Sequence, residues 1–188
     1  MEQPTDQVDL LLLPGETLLW SDRPDPRRLF AGNDVWLIPF SLLVGVFAIY
    51  WEAGALAHAA RSGSGFDPFA LWGLPFVVIG QYLIWGRFLY KRWDRHRIVY
   101  AVTSKRLLTV RGTNFRSVFL ARLSAINQTT RTDGTGSLDF GSGSVWAAMW
   151  ANTGLDWFNL RAGVPAFYDI EDVRNVYRLI AEARSGPG

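Results

Sequence analysis

Two apolar runs, Val35–Ala57 and Phe69–Tyr90, constrain this chain more than any other feature. About 20 helical residues span the ~30 Å hydrocarbon core of a bilayer. Each run exceeds that length, and only the polar, glycine-rich stretch His58–Pro68 separates them. Both are apolar on nearly every face, whereas a helix on the surface of a soluble domain carries a polar stripe. The spacing predicts a transmembrane helical hairpin, with helices over 35–57 and 69–90.

Tryptophan and charge refine this expectation. Trp36 and Trp51 mark the two ends of the first run. Trp72 and Trp85 mark those of the second, and Trp93 lies just beyond. Such positions form interfacial belts. Arg23, Arg27 and Arg28 precede the first helix, and Arg87, Lys91, Arg92, Arg95 and Arg97 surround the exit of the second. The connecting loop holds only Arg61. The positive-inside rule then predicts both termini cytoplasmic and the 58–68 loop outside. With Glu2, Asp6 and Asp9 and no early basic cluster, the N-terminus does not read as a cleaved signal peptide. The expected location is a plasma membrane, in a multi-pass arrangement.

Charge is uneven along the chain. Residues 1–90 hold 5 basic and 9 acidic side chains, and residues 91–188 hold 14 basic and 8 acidic, so −4 and +6 give the overall +2. A basic module beneath an anionic leaflet is attracted by about 1 kcal/mol per near-surface Lys or Arg. Lys91, Arg92, Arg95, Arg97, Lys105 and Arg106 are the candidate lipid-headgroup contacts.

Much chemistry is excluded. The chain has no cysteine, so disulfides, iron–sulfur clusters and thiol catalysis are ruled out. His58 and His96 fall at opposite ends of the hairpin and cannot share a metal or haem within one monomer. Gly134, Gly136, Gly141 and Gly143 lack the following Lys-Ser/Thr of a phosphate loop and read as hairpin turns. No catalytic constellation, cofactor, metal site or nucleic-acid partner is expected, and the chain reads as non-enzymatic. Within the hairpin, Glu52 and Gln81 are the candidate intramembrane polar residues. Glu52, beside Trp51, is expected at the outer headgroups within reach of water, and Gln81 in an interhelical hydrogen bond. Gly45, Gly73 and Gly80 let backbones approach, and Pro39 and Pro75 are candidate kinks.

Residues 98–168 read as short strands between turn signals: Ile98–Thr103, Arg106–Arg111, Phe115–Leu123, Ile126–Arg131, Thr135–Phe140 and Trp157–Leu160. Asp133-Gly134 is a tight-turn dipeptide. Phe115, Phe119 and Leu123 share one strand face and are expected inside, against Arg116 and Arg122. A terminal helix follows. Asp169 is its expected cap, Asp172 lies in its first turn, and its apolar stripe is Ile170, Val173, Val176, Tyr177 and Ile180. Between the strands, Trp146, Met149 and Trp150 crowd into one segment. They form either part of the core or a partner or membrane surface.

Local motifs sharpen the fold. Pro14-Gly15-Glu16 with Trp20 and Pro24 precedes the first helix, and Tyr100-Ala101-Val102-Thr103-Ser104-Lys105-Arg106 forms the first hairpin. Asp133-Gly134-Thr135-Gly136 and Ile170-Glu171-Asp172-Val173 with Val176-Tyr177 follow. In this order, over roughly residues 14–183, the chain resembles the bacterial pleckstrin-homology-like (PH-like) membrane proteins. The resemblance implies an α+β membrane protein. A two-helix transmembrane hairpin would precede a seven-stranded, partly open antiparallel barrel capped by the C-terminal helix. It implies a binding platform for lipid, peptide or protein without a settled activity. One departure stands out. Phosphoinositide-binding members cradle phosphates in a basic loop between their first two strands, and here that connection is only about Ser104-Lys105.

The expected organisation is therefore a cytoplasmic segment (1–34), the hairpin (35–90) and a cytoplasmic PH-like domain (91–188). The expected function is a membrane-anchored binding or scaffold module for a partner protein or anionic lipid headgroups. One alternative is an accessory or assembly subunit of a larger membrane complex. A membrane-embedded enzyme or transporter component is a further class, which two helices alone do not readily build.

Overall fold

The computed structural model describes residues 4–32, 34–63, 68–141, 152–155 and 166–185. It is an α+β protein with one long apolar helix near the N-terminus and two antiparallel sheets. Helix α1 (Pro4–Asp9) leads into strand β1 (Leu18–Asp22). The apolar helix α2 follows (Asp34–Ser62, 29 residues). Next come α3 (Pro68–Gln81), a π-helical turn (Tyr82–Gly86) and α4 (Arg87–Arg95), in unbroken succession. Strands β2 (Ile98–Thr103), β3 (Arg106–Arg111) and β4 (Asn114–Phe119) then form two hairpins. Strands β5 (Asn127–Thr130), β6 (Gly136–Asp139) and β7 (Ala166–Ile170) form the second sheet. Helix α5 (Val173–Ser185) ends the described chain.

Among the described residues, α2 is the one helix long and apolar enough by itself to cross a bilayer. It runs five residues past the expected boundary at Ala57, because Ala59 and Ala60 are strong helix formers. Gly63 (φ +65°) provides the left-handed residue that ends it. The second helix overruns in the same way and continues through α4 to Arg95. The two helices pack antiparallel. A Cβ on Gly80 would fall 2.9 Å from the Gly45 Cα, and a Cβ on Gly73 would strike the Glu52 carboxylate. Glycine at these positions is a condition of the packing.

Strand β1 was not legible as a strand, and it changes the organisation. It pairs antiparallel with β2, aligning Trp20 with Val102 and Asp22 with Tyr100. The N-terminal segment therefore belongs to the first sheet, ordered β1-β2-β3-β4, and the helices are inserted between two neighbouring strands.

The strands form two sheets and not a closed barrel. They share one core of Tyr100, Val102, Leu107, Leu138, Phe140, Phe167 and Ile170, which α5 covers with Val173, Val176 and Ile180. Phe167 lies at its centre, with ring centroids 4.7 Å from Tyr100 and 5.0 Å from Phe140. Burial pushes the Tyr100 hydroxyl well above the ordinary tyrosine range. A second cluster on the outer face of the first sheet joins Val99, Ala101, Leu108 and Val110 to Val8 of α1.

Three side-chain expectations are corrected. Val118 packs on the core, so the alternate residues Phe115 and Phe119 point outward and are 51% and 42% exposed. A one-residue phase error reverses a strand's faces. Tyr177 is also exposed, beside a shallow recess it lines with Ile126, Ala181 and Arg184. Asp169 does not cap α5. It is buried in β7, while the backbone carbonyl of Asp172 accepts from the Asn175 and Val176 amides.

Candidate functional site

The most elaborate polar structure in the molecule is the joint between the helices and the sheets. Arg87, Lys91 and Arg95 recur every four residues, so they share one face of α4. All three are buried. Arg87 pairs with Asp34 at the start of α2 and donates to the carbonyls of Leu83 (2.9 Å) and Thr153 (3.3 Å). The Lys91 ammonium donates to the carbonyls of Leu29 (2.9 Å) and Asn152 (2.5 Å). Arg95 donates to the Asp25 carbonyl, to Asn152 Oδ1 (3.0 Å) and to Asp169 Oδ2. One helix face thus grips the N-terminal segment, α2, the 152–155 segment and β7. Tyr82 extends the grip, its hydroxyl donating to the Gly154 carbonyl at 2.9 Å.

Asp169 is the hub. Its Oδ2 receives Arg95 and the Asn152 amide (2.9 Å), and its Oδ1 receives Arg131 (2.6 Å). Burial alone would push this carboxyl up, but Asn152, Arg131 and Arg95 together hold it below the ordinary aspartate value. Asn152 (φ 58°) and Asp169 (φ 52°) both occupy the left-handed region, which Asn and Asp enter more readily than other non-glycine residues. Nearby, Arg28 pairs with Asp133. The Asp133 carboxylate also accepts from the Thr135 hydroxyl and amide, and these bonds hold it far below the usual range.

At the opposite end of the first sheet, Glu16 accepts from Arg106 Nε (2.9 Å), from the Thr103 hydroxyl (2.5 Å) and from the Leu13 amide (2.7 Å). Burial raises this carboxyl, and those hydrogen bonds outweigh burial and lower it. The Pro14-Gly15-Glu16 motif is therefore a buried clamp that fixes the approach to β1 against the β2–β3 turn.

The outer face of α4 has the opposite character. Trp85, Leu89 and Trp93, again every four residues, are 53%, 59% and 53% exposed. The guanidinium of Arg97 lies 3.7 Å from the Trp93 ring centroid.

The joint redistributes the candidate site residues. Lys91, Arg95 and Arg106 are spent on internal partners, which corrects their reading as headgroup contacts. Arg92, Arg97 and Lys105 are exposed. Lys105 reaches the Pro14 carbonyl at 3.3 Å. Glu52 does not reach water. It is 7% exposed, packed against Gly73, and both carboxylate oxygens lack a hydrogen-bond partner among the described residues. Gln81 makes no interhelical bond among the described residues and accepts from Trp85 Nε1 on its own helix at 2.9 Å. Trp146, Met149 and Trp150, and the candidate strand 157–160, lie outside the described residues. Asp34, Asn152 and Asp169 were missed as a joint. The available signal was the four-residue spacing of Arg87, Lys91 and Arg95, which charge counting treats as membrane flank.

Among the described residues, no group of three or more His, Asp or Glu could hold a metal ion. The site can position and transmit, because its charges are paired and buried. Comparison with family models, curated proteins and solved structures finds no match to this chain.

Proposed function

We propose that the chain is a membrane-anchored PH-like scaffold or binding module. In this reading, α2 and the α3–α4 helix form a transmembrane hairpin, with the sheets on the cytoplasmic face of a plasma membrane. The observation that carries it is inside-out polarity. Asp34, Ser41, Glu52, Arg87, Lys91 and Arg95 face inward, while Trp36, Phe47, Tyr50, Trp72, Trp85 and Trp93 face outward and are exposed. A soluble domain reverses that arrangement, and hydrocarbon favours it.

The pairing of β1 with β2 supports two crossings. These strands lie immediately before and after the helices and share one sheet, so a chain that crosses on α2 must return. The excess of arginine and lysine beside the sheets over the single Arg61 at the far end supports the cytoplasmic assignment. Seven strands around one core, capped by a terminal helix, support the PH-like reading.

The test is extraction from native membranes in mild detergent, followed by native mass spectrometry. A scaffold should require detergent for release and retain a protein partner or anionic lipid. Recovery in the aqueous fraction without detergent contradicts the anchor. A fixed stoichiometric complex would favour an accessory subunit of a larger assembly.

A further inference from the structure

We propose that the outer face of α4 is a lipid contact at headgroup level. There Trp93 marks the inner edge of the hydrocarbon, and Arg92 and Arg97 hold the phosphates of anionic phospholipids. This rests on the membrane reading above.

Length points to Trp93. Trp51 and Trp72 define the outer belt, since Trp51 lies beside Gly73 at the crossing of α2 and α3. From Trp72, the helix reaches Trp85 after only about 20 Å and Trp93 after about 30 Å, at ~1.5 Å per residue. The second distance matches the hydrocarbon core. Trp85 would then be submerged, in keeping with its exposed ring and its indole N–H already satisfied by Gln81. Arg87 would also lie within hydrocarbon, and it is enclosed by protein and paired with Asp34, as a charge at that depth must be.

The apolar stripe of Trp85, Leu89 and Trp93 runs without interruption from the hairpin into α4 and ends where exposed cations begin. Arg97 is held over the Trp93 face, which orients its guanidinium at the boundary. Arginine suits this position because its fork can grip phosphate oxygens. The adjacent acidic group, Asp94, is already taken by Arg111 at 2.7 Å. Arg111 also donates to the Tyr90 hydroxyl at 2.9 Å, and the Gly112 amide donates to the Arg97 carbonyl at 3.2 Å. These bonds seat the β3–β4 turn on the end of α4, so the sheets lie close against the inner leaflet. Continuity with the lipid-facing stripe favours lipid over a protein partner here.

The chain lacks cysteine, so single-cysteine probes can test this in the full-length protein. A fluorophore is placed on His96→Cys, with another on Phe47→Cys at mid-hairpin. Nanodiscs contain phosphatidylcholine and phosphatidylglycerol, with a quencher carried on one lipid or the other. The expected result is quenching at position 96 that is several-fold stronger when phosphatidylglycerol carries the quencher. The preference should disappear in R92Q/R97Q, whose exposed substitutions leave the thermal melt unchanged. Equal quenching by both lipids overturns the proposal, as does no quenching at 96 alongside quenching at 47, which leaves the hairpin standing. Absence of quenching at both positions removes the membrane reading itself.

Discussion

Arg95 of α4 and Asp169 of β7 form a buried ion pair across 74 residues of sequence, and Arg131 takes the second carboxylate oxygen. The pair joins the end of the helical segment to the second sheet. Its neighbours Arg87 and Lys91 tie the same helix face to α2 and to the segment before β1. The helices and sheets are thus mechanically continuous, which a scaffold needs if binding on one side is to hold position on the other.

Removing one member of a buried pair leaves the other charge uncompensated. Asp169→Asn should lower stability by about 3–5 kcal/mol. A thermal melt of the purified chain in detergent measures this. A change within experimental error would mean that Arg95 finds an equivalent partner.

The same carboxylate gives an acid dependence. The folded-state value of Asp169 lies below the ordinary 3.8, and that of Glu16 below the ordinary 4.5, so the fold prefers both ionised. Their stabilisation is fully present above those ordinary values and is lost as pH falls through the lower folded ones. Melting temperature should hold steady from neutral pH down to about pH 5 and fall below it. Asp169→Asn should flatten part of that acid decline. A decline of unchanged size would remove Asp169 from this role.

The interhelical crossing gives a third expectation. Gly80 meets the backbone of Gly45, which cannot rotate away, so Gly80→Ala should cost about 1–3 kcal/mol through forced separation of the helices. Gly54 lies on the same hairpin with open space around it, so Gly54→Ala should be neutral or stabilising by up to about 1 kcal/mol. Equal effects in the two melts would mean that α2 and α3 do not cross at Gly80.

The amino-terminal clamp gives a fourth. Glu16→Gln and Arg106→Met should each destabilise, and the double variant should be less destabilised than the sum. The expected coupling is about 0.5–3 kcal/mol. Strict additivity would separate Glu16 from Arg106 energetically.

Parts of this architecture were legible from local pattern. Continuous apolarity announced α2, and β-branched runs around Ser104-Lys105 announced β2 and β3. Asp133-Gly134 announced the turn between β5 and β6. The remainder depends on contacts distant in sequence. β1 is short and becomes a strand because β2 offers it an edge. Phe115 and Phe119 follow an alternation as valid as that of Val118, and only tertiary packing decides which face is buried. Lys91 and Arg95 look like membrane-flanking cations in a count, because a count does not register helical phase. Their four-residue spacing with Arg87 held that information, and Asp169 and Asn152 come from elements far along the chain.

The topology of the helical segment is the central claim, and cysteine accessibility tests it most directly. In intact cells, a membrane-impermeant maleimide should label Ser62→Cys, at the far end of α2, and should not label Ser117→Cys on β4 until the membrane is permeabilised. Labelling of both, or of Ser117→Cys alone, would contradict a hairpin that places the sheets on the cytoplasmic side.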